Sequence, residues 1–185
     1  MFIPGARINE VFSVLDAYDK YDEIYRPAVV DAKLLQHNGS QYRFSLRLLR
    51  KVLHVTAAVE GEYESRYFQV DQTHWYSVLS SVRVQEIEDY GKPTEHKLPP
   101  DRGSGYIWRA CSFTRYEERD GGVYIEVQLI GLSREIPVSF RWIVNPVVNR
   151  LSRNSLSTSL QQTRDAVGAG PPVGQAVRSS AATVR

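Results

Sequence analysis

The chain has 185 residues, 42% hydrophobic and 24% charged, with 12 Gly, 9 Pro, 11 Tyr and 3 Trp. That is the length of one domain with enough apolar material for a core, which excludes collagenous, fully disordered and membrane-spanning chains. Lys and Arg number 23 against 21 Asp and Glu, a net charge of +2, and the single cysteine excludes an intramolecular disulfide framework and a multi-cysteine zinc site.

Met1 to Arg7 has neither the basic leader nor the apolar run of a signal peptide, and no stretch reaches the roughly 20 apolar residues of a spanning helix. A cytoplasmic location without stable membrane insertion is expected. From Ile8 to Tyr25, residues Val11, Phe12, Leu15, Tyr18, Tyr21 and Ile24 recur at steps of three and four. They predict a helical stripe broken near Asp19 into two short helices, with Asn9 as N-cap and Pro27 as the stop.

From Ala28 to Arg134 the period falls to two, and β-branched and aromatic residues dominate. A three-residue loop at His37-Asn38-Gly39 pairs Leu34 with Tyr42, Ala32 with Phe44 and Val30 with Leu46, placing apolar residues on one face. The phase slips between Leu48 and Leu49, where a bulge is expected. Leu53, Val55, Ala57 and Val59 then alternate with Val52, His54, Thr56 and Ala58. Tyr76, Val78, Ser80, Val82 and Val84 share the face of a later strand, and Asp89 to Gly103 reads as a loop.

Asp120-Gly121 suits a two-residue primed turn. The resulting register sets Arg115 against Glu126 and collects Trp108, Ala110, Ser112, Thr114, Tyr116, Ile125, Val127, Leu129 and Gly131 on the other face. After Pro137 the helical period returns in Phe140, Ile143, Val144, Val147 and Leu151, interrupted at Pro146 and Ser152. A further amphipathic piece carries Leu156, Leu160 and Val167. Gly168 to Arg185 is small, Gly- and Pro-rich and free of acids, so 1–167 is the expected folded domain and 168–185 a disordered tail.

Several residues invite chemistry. His37, His54, His74 and His96 are far apart, with no pair at ligand spacing on a helix, so neither a metal nor a cofactor is expected. His54 could supply an acid or base on a strand. Cys111, opposite Ile130, is expected to be a buried inert thiol. Arg109 and Arg134 could meet an anionic headgroup, although a solvated face is the favoured explanation. Arg43, Arg47, Arg50 and Lys51 interleave with Tyr42 and Phe44, but Asp31, Glu60, Glu62 and Glu64 dilute any basic stripe. The tail holds Arg178 and Arg185, leaving 21 basic against 21 acidic residues in the domain, and no nucleic-acid partner is expected.

Short helices, about six antiparallel strands and a long terminal helix follow the order of an α+β helix-grip fold, in which a curved antiparallel sheet wraps the last helix. The string Asp19-Lys-Tyr-Asp-Glu-Ile-Tyr-Arg-Pro27 resembles bacterial members of the START-like superfamily, as do Gly105-Tyr-Ile-Trp-Arg109 and Phe113-Thr-Arg-Tyr-Glu-Glu118. So do Asp120-Gly-Gly-Val-Tyr-Ile-Glu126 and Leu132-Ser-Arg-Glu-Ile-Pro137. That grouping joins lipid-transfer, polyketide-cyclase and birch-pollen-allergen-like (SRPBCC) proteins. Its members begin with a strand before the first helices, and Phe2-Ile3 leaves room only for a missing or truncated one.

The resemblance implies an apolar cavity for a lipid, sterol, quinone or polyketide-like molecule, with no universal catalytic residue. The candidate cavity wall is Tyr42, Phe44, Tyr76, Val78, Trp108, Ser112, Thr114, Tyr116, Val127 and Leu129 of the sheet with Leu156 and Leu160 of the helix. The leading reading is a non-enzymatic carrier or sensor of a hydrophobic small molecule. A cyclase or aromatase-like enzyme would need a titratable residue in the cavity, and a protein-interaction module a large exposed apolar patch. No residue is singled out as catalytic.

Overall fold

The Asp120-Gly121 turn is the sharpest local commitment in the chain. Both residues take positive φ, 55° and 71°, as a type I′ hairpin requires. It joins strands β7 (Arg109–Arg119) and β8 (Gly122–Leu132) in the expected register, with Arg115 opposite Glu126 and Cys111 opposite Ile130. The computed structural model describes residues 1–52, 55–100, 102–103, 109–132 and 141–170, with side chains except those of 51, 52, 55 and 141–152.

The remaining strands are β1 (Phe2–Pro4), β2 (Val29–Asn38), β3 (Gln41–Val52), β4 (Val55–Gln69), β5 (His74–Glu88) and β6 (His96–Lys97). They form one sheet in the order β1-β8-β7-β5-β4-β3-β2, with β6 paired to β5 and every pair antiparallel. The first strand is therefore present but only three residues long, with Phe2 against Tyr124 and Pro4 against Gly122. Within the expected 89–103 loop, β6 pairs His96 with Glu88.

The first hairpin corrects the expected register. Its turn is Gly39-Ser40, with Asn38 opposite Gln41 and Gly39 at φ 57°. Leu34 pairs with Phe44, not Tyr42, and Ala32 with Leu46, because the turn is the pair Gly39-Ser40 and not a His37-Asn38-Gly39 loop, an offset that the extra β2 residues Leu35 and Val30 only partly take back. The predicted slip between Leu48 and Leu49 does not occur, since β3 runs against β4 without a shift. Asp19 Oδ1 accepts the Leu34 N–H at 2.6 Å beside the first bulge, a long-range bond that strand periodicity does not reveal.

Three helical pieces lie between β1 and β2: α1 (Ile8–Leu15), a 3₁₀ turn (Tyr18–Lys20) and α2 (Tyr21–Ile24). The N-cap of α1 is Arg7 rather than Asn9, because carboxylates outside the cap position serve its first N–H groups. Glu10 Oε2 accepts from Arg7 N at 2.7 Å, and Glu118 Oε2 of β7 accepts from Ile8 N at 2.8 Å. The last helix, α3 (Arg141–Gly168), is continuous where breaks are expected at Pro146 and Ser152. One proline removes a single helix donor, and a serine keeps its own backbone N–H.

The outer face of the central strands is an ion-pair ladder. Arg43 meets Glu62 at 2.9 Å, Arg47 meets Glu60 at 3.0 Å and Glu95 at 3.5 Å, and Arg83 and Lys97 pair with Glu62 and Glu60. The hydrogen bond from Arg43 holds the Glu62 carboxyl below its usual range, and the bond to Glu60 raises Arg47. Arg43 and Arg47 are thus each matched by a carboxylate across the strand. Between them and the 89–103 segment lies an open depression of about 430 Å³, lined by Arg43, Glu62, Val82, Arg83, Pro100 and Arg109.

The β4–β5 turn titrates. Asp71 accepts from the Thr73 and His74 backbone N–H groups at 2.8 and 2.9 Å and faces His74 Nδ1 at 2.9 Å, while His74 Nε2 lies 3.4 Å from Glu117. The Thr73 amide, with His74, pulls Asp71 down to about 2, and the bond to Asp71 raises His74 above 6.5. A depressed carboxylate stabilises above its unfolded value near 3.8 and loses that contribution as pH falls toward 2. A raised imidazole stabilises fully below 6.5 and loses its contribution as pH rises through the folded value. The turn is therefore tightest between about pH 4 and 6.5. In an NMR titration His74 should titrate above 6.5, and Asp71→Asn should lower its midpoint; an unchanged midpoint would refute the pairing.

Candidate functional site

Because β5 pairs with β7 and β4, the sheet has a definite inner face: Tyr42, Phe44, Leu46; Gly61, Tyr63, Ser65, Tyr67; Trp75, Ser77, Leu79, Ser81; Ser112, Thr114, Tyr116; Ile125, Val127 and Leu129. The helices cover this face. Leu160 and Val167 of α3 pack with Ile3, Val11, Tyr116, Val123 and Ile125, and Tyr18 packs with Tyr42, Phe44 and Tyr63. Polar bonds fasten the lid: Tyr25 Oη to Thr163 Oγ1 at 3.0 Å, Gln162 Nε2 to the Arg26 carbonyl, and Arg50 Nη2 to Ser155 Oγ.

At the end nearest α1 and α2 the space between the sheet and the helices is filled with rings. Tyr18 stacks on Phe44 with centroids 4.2 Å apart, Phe44 stacks on Tyr63 at 5.6 Å, and Phe12 meets Tyr67 and Tyr116 edge-on at 5.3 and 5.2 Å. Hydroxyls are satisfied inside this packing: Tyr21 donates to the Leu15 carbonyl, Tyr18 meets Tyr67, and Tyr116 meets Ser77. Burial pushes Tyr18 and Tyr63 up to about 12 and raises Tyr21, Tyr25, Tyr67 and Tyr116. These phenols stay protonated at neutral pH, which suits them to donate hydrogen bonds rather than to remove protons.

The twelve candidate wall residues divide into distinct places. Tyr42 and Phe44 are 1% and 0% exposed at the ring-packed end, with Tyr116 and Thr114 buried beside Ser77. Val127 and Leu160 pack at the edge of that cluster, and Leu156 is half-buried on α3. Ser112 is half-buried on the inner face, and Leu129, on the same face, is 46% exposed. Trp108, with Tyr106, His54 and Arg134, lies outside the described residues.

Tyr76 and Val78 lie on the other face, opposite Arg115 and Phe113, where Tyr76 stacks with Phe68 and Phe113. The reason is a bulge: Glu62 opposes Arg83 while Tyr63 opposes Ser81, so Val82 is an extra residue. Before it the odd residues of β5 face inward, and after it Val84 does, so one alternation does not span the strand. Cys111 is half-buried on the outer face, and Arg115 and Glu126 form an exposed pair at 3.6 Å.

Tyr18, Tyr21, Tyr25, Tyr63, Tyr67 and Thr163 are wall residues that the sequence reading does not assign to the site. For β4 a signal exists: Gly61, Tyr63, Ser65 and Tyr67 alternate with Glu60, Glu62, Glu64 and Arg66, an inner and an outer face written at period two.

Solved structures share this arrangement. The protein TTHA0849 from Thermus thermophilus aligns at TM-score 0.59 and 13% identity over 91% of this chain and 94% of its own. A STAR-related lipid transfer protein from Xanthomonas axonopodis aligns at 0.58 and 18% over 89% of this chain and 81% of its own. The chain has the START-like helix-grip fold. The Zhui aromatase/cyclase from Streptomyces sp. R1128 aligns at 0.50 and 13% over 90% and 92%. No protein-family model and no curated protein sequence matches the chain.

Among the described residues no group of three or more His, Cys, Asp or Glu is placed to hold a metal ion, and no described helix is long and apolar enough to cross a membrane.

Proposed function

We propose that the protein binds a hydrophobic small molecule in the hollow between the inner face of the sheet and α3. One observation carries the reading. Past the ring-packed end, the inner face continues as a partly covered wall of Leu46, Leu79, Ser112 and Leu129, apolar with isolated hydroxyls. Apolar walls with a few placed polar groups are the usual make-up of small-molecule sites. The lipid-transfer protein of the same fold supports it.

A thermal-shift panel of fatty acids, phospholipids, sterols and quinones tests it. A ligand at about 100 times its Kd stabilises the native state by about 2.7 kcal/mol, a clear rise in Tm. No shift from any member overturns the reading. A second reading, a cyclase acting on a polyketide-type chain, is favoured by the buried Tyr18 and Tyr67 hydroxyls, which could hold a carbonyl. Their raised pKa values assign them to orienting rather than proton abstraction, so the carrier reading stands first.

A further inference from the structure

Tyr63 stands where the packed rings give way to the partly covered wall. Its ring lies on Phe44 with planes 23° apart and runs back along β4 over Gly61. A methyl group at residue 61 would sit 2.5 Å from the Tyr63 hydroxyl oxygen, so the side chain lies there only because residue 61 has no Cβ. Leu46 and Val84 flank Gly61 on the neighbouring strands, and Ser81 opposes Tyr63.

The ring is 8% exposed. The hydroxyls of Tyr18, Tyr21, Tyr25 and Tyr116 each have a hydrogen-bond partner, whereas among the described residues that of Tyr63 has none, and its raised pKa comes from burial alone. The Tyr63 oxygen is not fully sealed but keeps a small opening, and a bound molecule that covers it must supply an acceptor or leave the donor unpaired.

We propose that the Tyr63 hydroxyl is the hydrogen-bond donor that orients the ligand, selecting an apolar molecule whose inner end carries a neutral carbonyl or similar acceptor. This deepens the ligand-binding reading and rests on it. A neutral acceptor fits best because the hydroxyl lies over Gly61, whose strand partners are Leu46 and Val84, and its ring stacks on Phe44, so a carboxylate covered there would be desolvated with no cation among these residues. Selectivity follows from the same accounting: an analogue without the acceptor leaves the donor unpaired, which a purely hydrophobic pocket would not penalise.

The test uses 9-fluorenone and fluorene, rigid tricyclic probes that differ by one carbonyl, with binding to the full chain read by calorimetry. Wild type should bind fluorenone about tenfold more tightly, equivalent to about 1.4 kcal/mol. Tyr63→Phe keeps the ring and its stacking and should erase that preference while binding fluorene at least as well. Tyr67→Phe, whose hydroxyl already meets Tyr18, should leave the preference intact. A preference that survives Tyr63→Phe, or its absence from wild type with both probes bound, overturns the assignment to Tyr63 alone. Failure of wild type to bind either probe overturns it together with the hollow as the binding site.

Discussion

Replacing Phe44 with alanine should destabilise the protein by about 3 to 5 kcal/mol. Phe44 is fully buried, and its ring is stacked between Tyr18 on the helical side and Tyr63 on the sheet, with Tyr21 edge-on at 6.2 Å. Removing it deletes one of the main contacts between the 3₁₀ turn and the sheet and leaves a void between flat rings, which cannot close without moving Tyr18 off Tyr42. A domain of this size typically has about 5 to 15 kcal/mol in total, so one ring is a large share. Urea denaturation followed by tyrosine and tryptophan fluorescence should show the midpoint fall steeply. A loss under about 1 kcal/mol would mean that the helical segment collapses into the gap.

Glu118→Ala is expected to cost about 1 to 2 kcal/mol, large for a side chain at the end of a strand. The carboxylate sits at the N-terminus of α1, where Arg7 offers no acceptor side chain, and it takes the Ile8 N–H. It also bridges elements 110 residues apart in the chain, tying α1 to β7. Glu118→Gln keeps an acceptor oxygen and discards the charge facing the helix dipole, so about half of the loss should return. Thermal melts of the two variants separate these contributions. Equal losses would assign the whole effect to charge, and no loss in either would show that water replaces the cap.

How far the fold could be read depended on how local its determinants are. Asp120-Gly121 needs only its own two residues to adopt positive φ, and from it the register of β7 and β8 followed correctly down to Arg109 against Leu132. Gly39 is legible as the other turn residue, but the register differs because the turn is Gly39-Ser40, and the bulges at Leu35 and Val30 restore only part of that offset; the bond beside Leu35 comes from Asp19, outside the hairpin. The α1 cap was misassigned for the same reason, since its acceptor arrives from β7.

The candidate wall was half legible. Tyr42, Phe44, Thr114 and Tyr116 alternate cleanly and lie on the inner face, whereas Tyr76 and Val78 were placed by extrapolating through Val82. Thr163 on α3 is 4% exposed, with its hydroxyl bonded to Tyr25 and the Ser159 carbonyl, a burial that its residue type does not signal. The alternation Gly61, Tyr63, Ser65, Tyr67 is local and marks the inner face of β4, while the glutamates between them mark the outer one.

Val82 separates two properties that a strand usually couples. Because Val82 and Arg83 together oppose Glu62, a chain lacking Val82 would still set Ser81 inward, Arg83 outward and Val84 inward. No side chain would change sides. What would change is the local bend and twist that the extra residue imposes on β5 where it crosses the hollow. The depth of the concavity is therefore adjustable by a one-residue insertion or deletion, independently of which residues paint its surface. Shape and chemistry of the cavity can vary along separate axes, a route by which one scaffold could accommodate guests of different thickness without rewriting its wall.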